Sequence, residues 1–366
     1  MLNSQLLKDD EIAILSLRAL YGKYGYLPYK MSKFEEYDLY VKNKDFLVSD
    51  SVITFNDTNG KLLALKPDVT LSIIKNSTDQ QGCKQKLYYN ENVYRIWGTT
   101  RQFKEIMQTG LECIGDLDIY DVYEVLYLSA KSLATISDNF VLDISHLGIL
   151  NALFNKISTN DNFKAEIMTC IKQKNAHEIN FVCGKYGIDD NYATLLKSFV
   201  SMYGKPETVI SKLKEFSINE EFSNCVSELE GLCNLLEKTE YNSKIRLDFS
   251  LVNDMNYYNG IVFNGFLEGI PETVLFGGSY DKLMERMGRK SKGIGFALYL
   301  DLLEAIQKDV REYDVDVLLI YNEKNNVSLI NETVDKYVKE NKSVSVQKAI
   351  PDKLRYKELV DMTKEA

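Results

Sequence analysis

The sequence is poor in the residues that most often build metal centres and covalent frameworks. Only two histidines, His146 and His177, occur among 366 residues, and the six cysteines are scattered without a C-x-x-C pair. This scarcity argues against a zinc site, a histidine-based catalytic relay and a disulfide framework, so neither a metal nor a cofactor is expected. No apolar stretch is long enough to span a bilayer, and charged residues interrupt the first apolar residues, unlike a secretory leader. The expected location is therefore the cytoplasm.

Basic residues are outnumbered, with 44 lysines and arginines against 53 aspartates and glutamates and a net charge of -9. An acidic surface repels polyphosphates, which argues against a protein built mainly to hold RNA or DNA. We therefore expect no nucleic acid partner. Hydrophobic residues make up 45% of the chain, as in globular proteins. The length exceeds what one core usually organises, so we expect a large domain with an insertion and a smaller terminal domain.

Strand and helix patterns alternate along the first part of the chain. Residues 9–25 place apolar side chains at helical spacing, which predicts an amphipathic helix. Residues 46–65 alternate apolar and polar side chains around Asn59-Gly60, which predicts a β-hairpin. The segments KLYYNENVYRIW and FKEIMQTGLECIG follow, and they predict a second antiparallel strand pair.

The character of the sequence changes twice after these strands. Glycine and proline become rare between about 150 and 243, where runs such as ATLLKSFVSMYG predict a helical insertion. Strand-rich sequence then resumes. Residues 313–366 predict a strand, a helix, another strand and a short polar tail, a small α/β domain. The core domain, with its insertion, therefore spans 1–312.

Four polar segments carry the residues that could bind a small ligand. On a strand, Gln108, Gly110 and Glu112 would share one face, and a ligand could lie against the bare glycine. Each segment alone has a plain structural explanation: an exposed edge strand, paired packing tyrosines, a glycine turn or a helix cap. The segments are QTGLE at 108–112, NDMNYYNG at 253–260, FGGSYD at 276–281 and LKPDVT at 65–70.

Taken together and in order, these segments resemble the catalytic core of histidyl-tRNA synthetase, a class II synthetase. LLALKPDVT resembles the LRPE-T segment of that family, VYRIWGTTRQFKEIMQTGLECIG its motif 2, and NDMNYYNGIVF its RG-DYY block. FGGSYDKL and GIGFALYLDLL resemble its GGRYD segment and its motif 3. The resemblance covers roughly residues 5–305. It implies an α+β fold in which helices flank an antiparallel six-stranded sheet.

The resemblance also implies a histidine-binding pocket. A histidine ligand offers an ammonium group, which carboxylates and amides can bind, and an imidazole ring, whose nitrogens need partners. Carried over to this sequence, the pocket residues are Asp68, Thr70, Arg95, Gln108, Glu112, Tyr257 and Tyr258.

Departures from the family pattern fall on the arginines that serve adenylation. Forming an aminoacyl adenylate accumulates negative charge that fixed cations must neutralise. Arg95 is kept, but Asn253 and Asp301 stand where two other arginines are expected. A carboxylate about 4 Å from a phosphate costs about 4 kcal/mol at an effective dielectric constant of about 20, so the resemblance implies an inactive adenylation site. The alternative is substitution by nearby cations, namely Arg286, Arg289, Lys290 and Lys292.

A histidine pocket without adenylation chemistry resembles the family of regulatory subunits of ATP phosphoribosyltransferase, which opens histidine biosynthesis. That resemblance implies a hetero-octamer with a short catalytic subunit, self-association as a dimer, and histidine as the feedback effector. The terminal domain resembles a shortened anticodon-binding domain. Two alternatives remain open: an active, divergent histidyl-tRNA synthetase, and a free-standing histidine or RNA sensor. The feedback site could lie in the old substrate pocket or at a subunit boundary.

Overall fold

The computed structural model describes residues 9–43, 52–96, 102–252, 257–305 and 312–364. The chain divides into two compact units, Met1–Ile306 and Gln307–Ala366. The α-helices of the described residues are α1 (Asp9–Lys23), α2 (Tyr37–Lys42), α3 (Thr70–Asn76), α4 (Ile119–Ile136), α5 (Leu147–Ile157), α6 (Asp161–Lys172), α7 (Ala176–Tyr186), α8 (Asp190–Val200), α9 (Pro206–Lys214), α10 (Glu220–Glu237), α11 (Asp281–Arg286) and α12 (Val327–Lys339). The β-strands are β1 (Leu27–Pro28), β2 (Phe34–Glu36), β3 (Thr54–Asn56), β4 (Leu62–Leu65), β5 (Lys84–Ile96), β6 (Phe103–Gly115), β7 (Phe140–His146), β8 (Tyr203–Gly204), β9 (Ile245–Asp248), β10 (Ile261–Leu267), β11 (Leu275–Ser279), β12 (Lys292–Tyr299), β13 (Val315–Ile320), β14 (Val344–Gln347) and β15 (Tyr356–Asp361).

A mixed sheet organises the first unit, with the strand order β1-β5-β6-β12-β11-β10-β7-β9-β8. The six strands from β5 to β7 in this order pair antiparallel throughout, which confirms the predicted antiparallel six-stranded sheet and the α+β fold. The sheet is larger than predicted, because β1 adds in parallel to β5, β9 adds in parallel to β7, and β8 extends β9. These additional strands have two to four residues, too few for an alternating pattern to identify them.

The two faces of this sheet are covered differently. Leu111 and Cys113 of β6 point into the larger apolar core, which also contains Leu17 of α1 and Val125 of α4. Asp118 caps α4, because its carboxylate accepts hydrogen bonds from the backbone N–H groups of the first turn. The neighbouring residues of β6 point to the opposite face, where a smaller core and the candidate site lie.

The predicted hairpin is present where the structure describes it. Strands β3 and β4 pair antiparallel around a turn in which Gly60 has a φ of 78°. The carboxylate of Asp57 holds this turn by accepting hydrogen bonds from the backbone N–H of Asn59 at 2.9 Å and of Lys61 at 2.8 Å. The first residues of the predicted hairpin lie in 44–51, outside the described residues.

Helices α5 to α10 follow one another between β7 and β9, across the segment predicted to be a helical insertion. They begin at Leu147, slightly before the predicted start at about 150. His146 caps α5, since its Nδ1 accepts a hydrogen bond of 3.1 Å from the backbone N–H of Gly148. The short strand β8 interrupts the helices and joins the edge of the sheet.

The second unit is a three-stranded parallel sheet in the order β14-β13-β15, with α12 between β13 and β14 along the chain. The strand, helix and strand predicted after residue 313 are confirmed. Within the predicted polar tail, Tyr356–Asp361 form a strand that was not predicted, β15 beside β13. None of the side chains of this strand is fully buried, and Lys357 and Glu358 are exposed, so no alternating apolar pattern marks it in the sequence.

Within the described ranges, no helix is long and apolar enough to cross a membrane. The cytoplasmic location stays a prediction.

Candidate functional site

A cavity of about 270 Å³ lies on the sheet face opposite the larger core. Residues from β5, β6, β11 and β12 form its floor, and residues just before or within α3 form one side. The structure brings together all seven side chains predicted to form a pocket, and these are Asp68, Thr70, Arg95, Gln108, Glu112, Tyr257 and Tyr258.

Alternation along β6 places two of the predicted polar groups in the cavity, Gln108 and Glu112. Gly110 lies between them on the same face, and that a ligand lies against it stays a prediction. A Cβ atom at this position would lie 2.6 Å from the hydroxyl oxygen of Tyr89. The glycine is required because the backbone carbonyl oxygen of Phe296 and the ring of Tyr89 already occupy the space that a Cβ would need.

Glu112 is the most enclosed acidic group of the cavity, with 2% of its surface exposed. Its carboxylate accepts hydrogen bonds from Thr70 Oγ1 at 2.8 Å and from the Tyr280 hydroxyl at 2.6 Å. Burial raises the pKa of Glu112 to about 8, against the lowering effect of these two hydrogen bonds, and the charge of Asp68 raises it further. A cationic ligand would favour the charged carboxylate and reverse this shift.

Asp68 combines a structural role with a place on the cavity wall. Its Oδ1 accepts a hydrogen bond of 2.9 Å from the backbone N–H of Leu71 in the first turn of α3. The helix-capping explanation is therefore correct for this contact, yet the side chain also lines the cavity. Burial raises the pKa of Asp68, opposed by hydrogen bonds from the Leu71 and Thr70 backbone and by the charge of Arg95.

Aromatic rings form the remaining wall. The ring centres of Tyr257 and Tyr258 are 4.6 Å apart, and Tyr280 lies 6.2 Å from Tyr257. Burial raises the pKa of all three hydroxyls, so they stay protonated and can donate hydrogen bonds. Gly278 lies against this wall. A Cβ there would lie 2.6 Å from the ring of Tyr258, so the absence of a side chain makes room for that ring.

Sequence reasoning missed several residues of the cavity, notably Tyr280, Gly295 and Tyr299. A Cβ at Gly295 would lie 2.5 Å from the carboxyl carbon of Glu112. The alternating glycines at 293 and 295 in KGIGF were the available signal, because strand glycines often mark a close approach by another group.

Arg95 is buried and held against Tyr299. Its Nη2 donates a hydrogen bond to the Tyr299 hydroxyl, and its guanidinium carbon lies 5.4 Å from the centre of that ring. The Tyr299 ring in turn packs edge-on against Phe276 at 5.3 Å. The arginine therefore reaches the cavity already engaged in a contact with β12, on the far side of β6.

Of the two positions predicted to have lost an arginine, the structure describes Asp301 and not Asn253. Asn253 lies outside the described residues. Asp301 is exposed and absent from the cavity wall, so the predicted repulsion between its carboxylate and a phosphate in this cavity is not supported. It lies in the 3-10 helix after β12, and its carboxylate accepts hydrogen bonds of 3.2 and 3.3 Å from the backbone N–H of Met107.

The four basic residues named as possible replacements for the missing arginines lie outside the cavity wall. None of Arg286, Arg289, Lys290 and Lys292 lines the cavity. Arg289 donates instead to the backbone carbonyls of Ile74 and Lys75. The second basic side chain of the cavity wall is Lys172, at the end of α6.

Comparison with known proteins points to one family. The family described as histidyl-tRNA synthetase matches residues 7–303. A protein named ATP phosphoribosyltransferase regulatory subunit from Oceanobacillus iheyensis is 29% identical over 283 residues, covering 76% of this chain and 69% of that protein. One of the same name from Alkaliphilus metalliredigens is 26% identical over 288 residues, covering 76% and 72%. These relatives confirm the resemblance stated from the sequence motifs.

Solved structures show the same fold. An ATP phosphoribosyltransferase regulatory subunit/histidyl-tRNA synthetase from Bacillus halodurans has a TM-score of 0.78 at 22% identity, covering 96% of this chain and 93% of that one. A chain of the ATP phosphoribosyl transferase (HisG:HisZ) complex from Thermotoga maritima has a TM-score of 0.63 at 19% identity, covering 80% and 97%.

Proposed function

Because this chain belongs to the histidyl-tRNA synthetase family, we propose that it is a regulatory subunit of ATP phosphoribosyltransferase and that histidine is the ligand of its cavity. The names of its relatives support the first part. The observation that carries the second part is the convergence of all seven predicted histidine-binding side chains on one cavity.

The chemistry of the cavity suits a free amino acid with a polar ring. The carboxylates of Asp68 and Glu112 can bind an ammonium group, and this charge would offset the burial that raises their pKa. The protonated hydroxyls of Tyr257 and Tyr258 can donate to an imidazole nitrogen. Gln108 adds an amide that can donate and accept.

We further propose that the chain does not form an aminoacyl adenylate. That reaction needs fixed cations around the phosphate on which charge develops. Here Arg95 is engaged by Tyr299, and neither Asn253 nor Asp301 can supply a cation. The proposed cause is missing positive charge, because Asp301 does not line the cavity and cannot repel a phosphate there.

The proposed partner is the short catalytic subunit, in line with the HisG:HisZ complex named for the Thermotoga maritima structure. A cytoplasmic hetero-octamer, with this chain self-associating as a dimer, is part of the proposal. Feedback requires that histidine bind one state of the complex more tightly than the other. A coupling of about 1–3 kcal/mol corresponds to roughly 5- to 150-fold control.

Reconstitution tests the proposal. Phosphoribosyltransferase activity of the short catalytic subunit from the same organism is measured with and without this chain, while histidine is titrated. We expect activity to depend on the chain and histidine to inhibit the complex. Asp68→Asn and Glu112→Gln variants should keep the activation and lose most of the inhibition, while the exposed control Glu272→Gln should behave as the unmodified chain.

Two results would overturn the proposal in different ways. Histidine-dependent exchange of pyrophosphate into ATP by the purified chain would establish an active synthetase. Full histidine sensitivity in both Asp68→Asn and Glu112→Gln would leave the regulatory role intact but place the feedback site outside this cavity.

A further inference from the structure

We propose that Lys172, at the end of α6 in the helical segment, supplies the cation that binds the α-carboxylate of the amino-acid ligand. This inference rests on the proposed function, because it assumes an amino acid in the cavity. It adds a specificity-determining residue that the sequence motifs of the catalytic core do not contain.

The charges on the cavity wall leave one half of an amino acid without a partner. Asp68 and Glu112 provide for an ammonium group, but a carboxylate needs a cation or several hydrogen-bond donors. Arg95 gives one of its five N–H donors to the hydroxyl of Tyr299 and lies against that ring, so it is less free than an unpaired lysine to reach a carboxylate. Among the described residues of the wall, the remaining cation is Lys172.

The ammonium group of Lys172 is available for a ligand. Within the described part of the chain it forms no ion pair and no hydrogen bond, and the side chain is exposed at the cavity. Three other lysines of the helical segment have partners: Lys164 donates to Asn155 at 2.8 Å, Lys174 to Asp248 at 3.1 Å and Lys185 to Glu166 at 2.7 Å.

The backbone around Lys172 is fixed against the sheet. Ile171, the preceding residue, is fully buried. Lys174, two residues later, has a left-handed backbone with a φ of 54°, a conformation that costs a non-glycine residue about 1 kcal/mol or more. Its ammonium group binds the carboxylate of Asp248 on β9, which is itself 6% exposed. These contacts hold the turn in place, so the side chain of Lys172 extends from a fixed backbone beside the cavity.

A lysine placed this way would distinguish an amino acid from the corresponding amine. Histidine would contact Asp68 and Glu112 through its ammonium group and Lys172 through its carboxylate. Histamine has the ammonium group and the imidazole ring but no carboxylate. The contribution of Lys172 should therefore be visible only with the ligand that carries the carboxylate.

Calorimetric titration of the full chain with histidine and with histamine tests this inference. We expect Lys172→Met to weaken histidine binding by about tenfold, the range of a hydrogen bond between charged groups, and to leave histamine binding unchanged. Lys172→Arg keeps the charge and should recover most of the affinity for histidine. The control Lys156→Met removes an exposed lysine of α5 away from the cavity and should change neither affinity.

Other outcomes would overturn the inference. Equal histidine affinity in Lys172→Met and the unmodified chain would remove Lys172 from the binding site while leaving histidine as the ligand. An equal loss for histidine and histamine would mean that the lysine shapes the cavity without binding the carboxylate. If a parallel titration with ATP shows that Lys172→Met loses ATP binding while its histidine affinity is unchanged, the cation belongs to a phosphate site. Failure of the unmodified chain to bind histidine would instead reject the ligand named in the proposed function.

Discussion

Replacing Glu112 with glutamine should change how the stability of the protein depends on pH. The carboxyl group is buried, receives hydrogen bonds from Thr70 and Tyr280, and has a pKa raised to about 8 from an ordinary value of 4.5. The folded chain therefore holds a proton that the unfolded chain has already lost at neutral pH. Glutamine has the same size and no charge, so the variant removes this titration and little else.

The direction and size of the effect follow from the two pKa values. A carboxyl group with a raised pKa contributes its full stability below about pH 4.5 and loses it as the pH rises towards 8. Between these values the free energy of unfolding falls by about 1.4 kcal/mol per pH unit. The penalty from Glu112 is on the order of 3 kcal/mol at pH 7. Rearranged hydrogen bonds in the glutamine variant add an offset of about 1 kcal/mol that does not depend on pH.

Urea unfolding between pH 5 and pH 8 measures the effect. The difference in unfolding free energy between Glu112→Gln and the unmodified chain should shift in favour of the variant by on the order of 3 kcal/mol across this range. Other titrating groups cancel in the difference, and the exposed control Glu272→Gln should give a flat line. A difference for Glu112→Gln that stays constant from pH 5 to pH 8 would refute the burial argument.

Two further substitutions test the packing of the cavity. Gly295→Ala would drive a Cβ atom to 2.5 Å from the carboxyl carbon of Glu112, so we expect a loss of about 1–3 kcal/mol in urea unfolding; the control Gly184→Ala, with open space around it on α7, should be neutral or slightly stabilising. Tyr299→Phe removes the hydroxyl that accepts from Arg95, and should lower the unfolding free energy by about 1.5–3 kcal/mol in the same assay. An unchanged midpoint in either cavity variant would contradict the contact on which it rests.

Local sequence pattern was sufficient to predict the structure where residues close together in the chain determine the geometry. Period-two alternation placed Gln108 and Glu112 on one face of β6, and the structure has both in the cavity. The hairpin turn at Asn59-Gly60 follows from the left-handed backbone that glycine adopts readily. The order of motifs then brought together residues far apart in the chain, such as Asp68 and Tyr257, because the resemblance supplied a fold.

Contacts between distant segments could not be predicted from local pattern. Nothing near Gly110 in the sequence indicates that the ring of Tyr89 covers it, because the contact exists only across the paired strands β5 and β6. The carboxylate of Asp301 turns to the backbone of Met107 for the same kind of reason. Lys172 lies in a helical segment with no motif of its own, and only the anchored turn at Lys174 explains its place beside the cavity.

A chain with this fold can bind an amino acid without activating it by ATP, and the strand order of the sheet need not change. Tyr299 occupies a strand position next to Gln108 of β6, and its hydroxyl and ring hold the guanidinium group of Arg95. A guanidinium group that already donates to Tyr299 has fewer N–H donors left for charge that develops on a phosphate. The groups suited to an ammonium ion, Asp68 and Glu112, lie on the same wall and are not needed for that contact. A chain of this family can therefore keep a ligand cavity while the arginine that adenylation requires is held in a structural contact. This arrangement predicts that the purified chain binds histidine and does not exchange pyrophosphate into ATP.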